Sequence, residues 1–223
     1  QIHLVQRLTD RCDQLAKADS AQAVIAARKL GKTASLMGAE GGHAIENSLV
    51  ALRTLRRLGV RYMTLTHGDT IDWADSATDA PRHGGLTDFG DEVVRVKNRR
   101  GMVMDISHVS ADTMRHALSV SDRPVMASHS SAFAIAPHPR NVPDDVLEMV
   151  RANDGVVMVN FYPPFVNRDA AEQAVGRFEV ARRLMAELGD EAAVEAELAR
   201  MLDEDPYPEV GTPEIVDHIE YIA

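Results

Sequence analysis

Five polar residues suited to metal or acid–base chemistry each stand at the end of a short apolar run. Glu40 follows 34–39, His67 follows 60–66, His108 follows 102–107, His129 follows 124–128 and Asn160 follows 156–159. One carboxylate and two imidazoles make a ligand set for a catalytic metal, with a coordination position left for water. His108 and His129 lie 21 residues apart, on what read as consecutive strands. Neighbouring parallel strands are about 4.8 Å apart, so ring nitrogens projecting from adjacent strand ends can reach one ion at about 2.1 Å each. Glu40, just before Gly41-Gly42, reads either as a solvated loop carboxylate or as a bridge between two hard or borderline cations. His67 opens a long loop, as a donor to a developing oxyanion or as a simple loop cap. Arg140, eleven residues past His129, is suited to a bidentate grip on a substrate carboxylate, the alternative being a surface arginine. Asp105 falls within a strand, with no face assigned. His3, His83, His116, His138 and His218 read as surface or helix residues, and the ten Met residues as core filler.

Such residues need elements to hold them at one place. The apolar runs read as strands over 33–39, 60–66, 101–107, 124–128 and 155–161. Amphipathic spacing predicts helices over 2–30, 44–58, 87–99, 110–119, 143–152, 169–187, 190–203 and 212–222. Thr87 and Ser110 are N-cap types, Pro143 suits a first helical turn, and Gly31 and Gly59 suit helix ends. The loop 67–86 is long enough to suggest function rather than mere connection. Alternating strand and helix implies a parallel sheet. No glycine-rich phosphate loop follows any strand, which disfavours a nucleotide-binding open sheet. The expectation is an α/β fold of the (β/α)8 TIM-barrel type, with active groups where strands end. Only five of the eight strands are recognised, so one domain over 1–223 with an incomplete barrel is expected.

Composition narrows the function. With 34 acidic and 24 basic residues the net charge is −10, which argues against nucleic acid as a partner. No run reaches the roughly 18 apolar residues of a transmembrane segment, and no signal peptide is visible. Cys12 is the only cysteine, which excludes an internal disulfide and a thiolate zinc site. Compartment stays open.

Six stretches are similar to the membrane (renal) dipeptidase family of zinc peptidases: Gly38 to His43, Arg61 to His67, Met104 to Ser110, Ala127 to Ala132, Arg140 to Asp145 and Met158 to Tyr162. They stand in family order and cover roughly residues 33–165. The resemblance implies a (β/α)8 barrel, a two-zinc site and hydrolysis of dipeptides by a zinc-activated water. It implies that Glu40 bridges the ions, that His108 and His129 hold the second, and that His67, Arg140 and Asn160 contact substrate. His67 would lie near the scissile carbonyl and Arg140 at the carboxylate. The family's His-x-Asp metal pair and late-strand acid–base Asp have no counterpart among these residues. A segment of a longer protein, or a truncated homologue, is therefore expected. An open barrel would expose strand edges and favour a homodimer or other cover. Two rival readings are another metal-dependent amidohydrolase, such as a lactonase or cyclic-amide hydrolase, and an inactive binding or structural protein. Amidohydrolases of that kind often use a carboxylated lysine as bridge, and no Lys stands at a strand end here.

Overall fold

The computed structural model describes all residues 1–223. The chain opens with helix α1 (Ile2–Arg11), a short strand β1 (Leu15–Lys17) and helix α2 (Ala21–Lys29). This corrects the single helix expected over 2–30. Leu15 fits a helical stripe, but the chain turns extended at Cys12, and Ser20 caps a new helix by accepting the Ala23 N–H at 3.2 Å. β1 pairs in parallel with β2 (Thr33–Ser35). Leu36 alone separates β2 from β3 (Met37–Ala39), so the strand expected at 33–39 is present as two bent halves. β3 continues into a second parallel sheet with β4 (Val60–Thr64), β5 (Val103–Asp105), β6 (Val125–Ala127) and β7 (Val156–Val157), in the spatial order β3-β4-β5-β6-β7. A doubly wound sheet reverses its order at a switch point. This one advances in one direction, the winding of a β/α barrel.

Strands β3 to β6 are each followed by a helix that runs back along the sheet. α3 (Leu49–Leu58), α4 (Asp88–Arg100), α5 (Ala111–Val120) and α6 (Asp144–Ala152) begin at Ser48, Thr87, Ser110 and Pro143. Three of these are side-chain caps, with the hydroxyls of Ser48, Thr87 and Ser110 accepting N–H groups of the first turn. Pro143 lies one residue earlier than expected, as the cap itself. The helix expected from 44 begins as a 3-10 turn (Gly42–Ile45), and α3 proper starts at Leu49. Between sheet and helices lies the main core, where Met63 and Met104 from the strands meet Leu52, Val93, Met114 and Val146 from the helices, all essentially solvent-free. Removing a side chain such as Leu52 to Ala costs about 2–5 kcal/mol. The alternate strand positions face the other side of the sheet, where Val103 is exposed and Tyr62 lies over Gly38, with no room for a β-carbon there.

Four helices complete the chain: α7 (Pro163–Val166), α8 (Arg168–Leu188), α9 (Glu191–Glu204) and α10 (Thr212–Ile222). His218 on α10 is fully buried. Its Nδ1 accepts the Ala132 N–H at 3.0 Å, and its Nε2 bonds the Val166 carbonyl at 3.2 Å. It ties α10 to the loop after β6 and to α7. His138 is buried too, beside Phe165. His138, buried in a loop, corrects the surface-or-helix reading, whereas His218 stands on a helix as expected but is buried by partners far along the chain, where spacing carries no signal. No helix is long and apolar enough to cross a membrane.

Candidate metal centre

The carboxyl ends of β3, β5 and β6 bring three ligand atoms together. Glu40 leaves β3 through Gly41, whose φ of 105° lies in the glycine-favoured region and whose N–H is taken by the Thr64 hydroxyl at 2.5 Å. Gly42 packs so tightly on the Leu65 carbonyl and the Trp73 ring that a β-carbon would stand 2.3 Å and 2.4 Å from them. This turn aims the Glu40 side chain across the sheet. Its Oε1 is 2.9 Å from His108 Nε2 and 3.3 Å from His129 Nε2, and the two Nε2 atoms are 2.8 Å apart. The sequence therefore points correctly to these three residues as neighbours in space.

The donor set fits a cation. Separations of 2.8, 2.9 and 3.3 Å define a triangle with a circumscribed radius of roughly 1.8 Å, smaller than the ~2.1 Å bond of a metal to nitrogen or oxygen. One point thus lies at bonding distance from all three atoms. The imidazoles are in the form that binds metals. Burial, then the nearby Arg140 charge, pushes His108 down to about 3 and lowers His129 below the usual histidine range. The Glu40–His108 contact is accordingly a hydrogen bond to a neutral ring rather than an ion pair. His129 Nδ1 bonds its neighbour Ser128 Oγ at 2.7 Å, the usual way a ligand imidazole is oriented through its other nitrogen. His108 Nδ1 is buried without a partner.

His108 sits at φ 74°, in the left-handed region that a non-glycine residue adopts only when held there. The holding comes from the loop 67–86. Ala77 N–H donates to the His108 carbonyl at 2.8 Å, and Ser76 pairs with Val109 as an isolated bridge. The Ser76 hydroxyl lies 2.8 Å from the His67 carbonyl and 3.3 Å from that of His108. Asp75, buried, organises the same loop by accepting the N–H groups of Arg82, His83 and Gly85, which hold its carboxyl below the usual range despite burial.

The other expected residues are placed as follows. His67 is exposed at the end of the β4 run and stacks on His108, ring centroids 4.4 Å apart. Arg140 is only 8% exposed, not a surface arginine. Its guanidinium lies over the Phe165 ring at 5.2 Å, and its Nε and one terminal nitrogen are buried without a hydrogen-bond partner. Burial lowers it to about 10, and the Glu40 and Asp105 charges oppose that shift. Asn160 Oδ1 accepts the Tyr162 N–H at 2.6 Å in a local turn and has no bond to the three-ligand cluster. The sequence leaves Asp105 without an assigned face and gives no signal for Ser107 or Ser76. Only a strand-parity argument could have flagged Asp105, and its strand has three residues.

A one-directional parallel sheet with a carboxylate–bis-histidine cluster at the strand ends defines the class: a β/α-barrel-type protein with a group that could hold a metal ion at the carboxyl ends of its strands. The family model described as membrane dipeptidase (peptidase family M19) matches residues 1–223, and the chain belongs to that family. It is 47% identical over 180 residues to dipeptidase tcpJ of Claviceps purpurea, covering 78% of this chain and 42% of that protein. Among solved structures, an amidohydrolase from Pseudomonas aeruginosa aligns at 30% identity and TM-score 0.69, over 74% of this chain and 50% of that one. The probable dipeptidase PvdM from the same species aligns at 24% identity and TM-score 0.82, over 99% of this chain and 61% of that one, and shows the fold alone. The chain thus spans less than half the length of the curated relative it matches.

Proposed function

We propose that this protein is a zinc-dependent dipeptidase, or the part of one that carries its metal-binding strands. The observation that carries the reading is the convergence of Glu40 Oε1, His108 Nε2 and His129 Nε2, with the buried, unpaired Arg140 guanidinium close enough to depress both histidines. These three residues would hold the ion, which when bound lowers the pKa of a water and polarises a carbonyl. Glu40 makes its histidine contacts through Oε1, and its side chain is 54% exposed, which leaves Oε2 for a second ion.

The chain's own groups explain a short substrate. A guanidinium buried with unpaired N–H groups costs free energy until an anion occupies them. A carboxylate fits that fork in a bidentate way. Arg140 therefore binds the free C-terminal carboxylate, one residue beyond the cleaved bond. His67, exposed and stacked on His108, donates to the scissile carbonyl oxygen. Asn160 keeps its amide N–H groups for substrate, since its oxygen is engaged. The proximity of these groups orders the dipeptide before reaction. The relative from Claviceps purpurea is itself named a dipeptidase, in line with this reading. β1 and β7 are open sheet edges, and we propose that the chain on its own pairs them in a homodimer.

Hydrolysis of unblocked dipeptides by metal-loaded protein, with loss on chelation and return on adding zinc, tests the reading. Hydrolysis unchanged by chelation, or none on any dipeptide once metal is bound, contradicts it.

A further inference from the structure

Asp105 is fully buried near the end of β5, facing Met126 in the register with β6. Its Oδ1 accepts two N–H groups: Ser107 at 3.0 Å and Ser128 at 3.1 Å. Each of these serines immediately precedes one of the two histidines. Ser107 adds a third tie, its hydroxyl accepting the His129 N–H at 3.1 Å.

The location of these bonds gives them meaning. Up to Ile106, β5 and β6 are joined by ordinary ladder bonds, such as Ile106 N–H to the Met126 carbonyl at 2.8 Å. Beyond that point His108 departs to φ 74°, and the β5 backbone can no longer serve the N–H groups of Ser128 and His129. Two side chains, one at the end of β5 and one just beyond it, take over the ladder. Asp105 satisfies Ser128, and Ser107 satisfies His129. The spacing of the two imidazoles is thereby set by one carboxylate and one hydroxyl rather than by sheet geometry. The other Asp105 oxygen, Oδ2, is buried with no hydrogen-bond partner, so the hydrogen bonds of this carboxylate all go to the clamp.

We propose that Asp105 is the positioning residue of the metal centre: through the N–H groups of Ser107 and Ser128 it fixes where His108 and His129 present their Nε2 atoms. This rests on the ligand roles given above. Outer groups that orient metal ligands typically contribute 10–100-fold to metal affinity.

The test is zinc affinity, measured by competition with a chromophoric chelator on the full protein, with thermal unfolding of each metal-free variant as the check on folding. Asp105→Asn keeps an oxygen acceptor where Oδ1 stands and puts its amide nitrogen in the unpartnered Oδ2 position. It should bind zinc within about 3-fold of wild type, while Asp105→Ala should bind about 10–100-fold more weakly. Ser107→Ala, which leaves the carboxylate in place and removes only the acceptor for His129, should weaken binding several-fold and serves if Asp105→Ala does not fold. Wild-type affinity in Asp105→Ala or in Ser107→Ala would overturn the proposal, as would an Asp105→Asn variant no better than the alanine. His129→Ala is the control: if it binds zinc like wild type, the ligand assignment itself fails and this inference falls with it.

Discussion

His108 Nε2 and His129 Nε2 face each other at 2.8 Å, closer than the roughly 3.3 Å expected for two ligands of a tetrahedral metal site. At most one of the two nitrogens can carry a proton between them. The other presents a lone pair, and Glu40 Oε1 adds a second acceptor beside it. Such a cluster of acceptors is poorly satisfied by hydrogen bonds alone and well satisfied by a cation.

His129→Ala should abolish zinc content and dipeptide hydrolysis together. Elemental analysis and an amino-acid release assay on the same preparation check this. Hydrolysis at the wild-type rate by the metal-free variant would exclude the ligand role.

Arg140→Ala should raise KM for dipeptides by about 10–100-fold with a smaller effect on kcat, since one charge-assisted bidentate contact is worth about 1.5–3 kcal/mol. The same substitution should have little further effect on C-terminally amidated substrates, which lack the charge. Equal losses on both would remove the carboxylate from the account.

Gly42→Ala should destabilise the fold by about 1–3 kcal/mol, because the added methyl meets the Leu65 backbone and the Trp73 ring. The strain falls on the turn that aims Glu40, so zinc affinity should drop as well. Urea unfolding and chelator competition measure the two effects. Unchanged values in both would show that the turn relaxes freely.

Lys97 gives a stability signature with a defined sign. It is fully buried on α4, its ammonium donates to the Met63 carbonyl at 2.6 Å, and burial lowers it from 10.5 to about 7. Below pH 7 both folded and unfolded chains carry the proton, and the folded state bears the whole cost of the buried charge. Between about 7 and 10.5 the unfolded chain binds the proton and the folded chain does not, so this group makes stability rise with pH. Lys97→Met should raise Tm at pH 6 by several degrees, and the gain should shrink towards pH 10. A difference that does not vary with pH would contradict the assignment.

The residues at strand ends were legible because each follows an apolar run, and because a parallel sheet places all such ends on one side. Glu40, His108 and His129 emerge from that pattern and meet in space. Other features depend on contacts that spacing does not encode. β1 has three residues and reads as part of a helical stripe until β2 is there to pair with it. His138 and His218 read as surface or helix histidines, yet both are buried, and backbone groups from other parts of the chain bind His218. Asp105 could not be oriented by strand parity. Its importance appears only once the N–H groups of Ser107 and Ser128 are seen to share one oxygen. Ser76 is similar: it acts across a loop on His67 and His108, 32 residues from the latter.

The most direct test of the central claim is anomalous X-ray scattering at the zinc absorption edge from crystals of zinc-loaded protein. A peak is expected at about 2.1 Å from Glu40 Oε1, His108 Nε2 and His129 Nε2. A zinc-loaded crystal with its peaks elsewhere, and none among these three atoms, would contradict it.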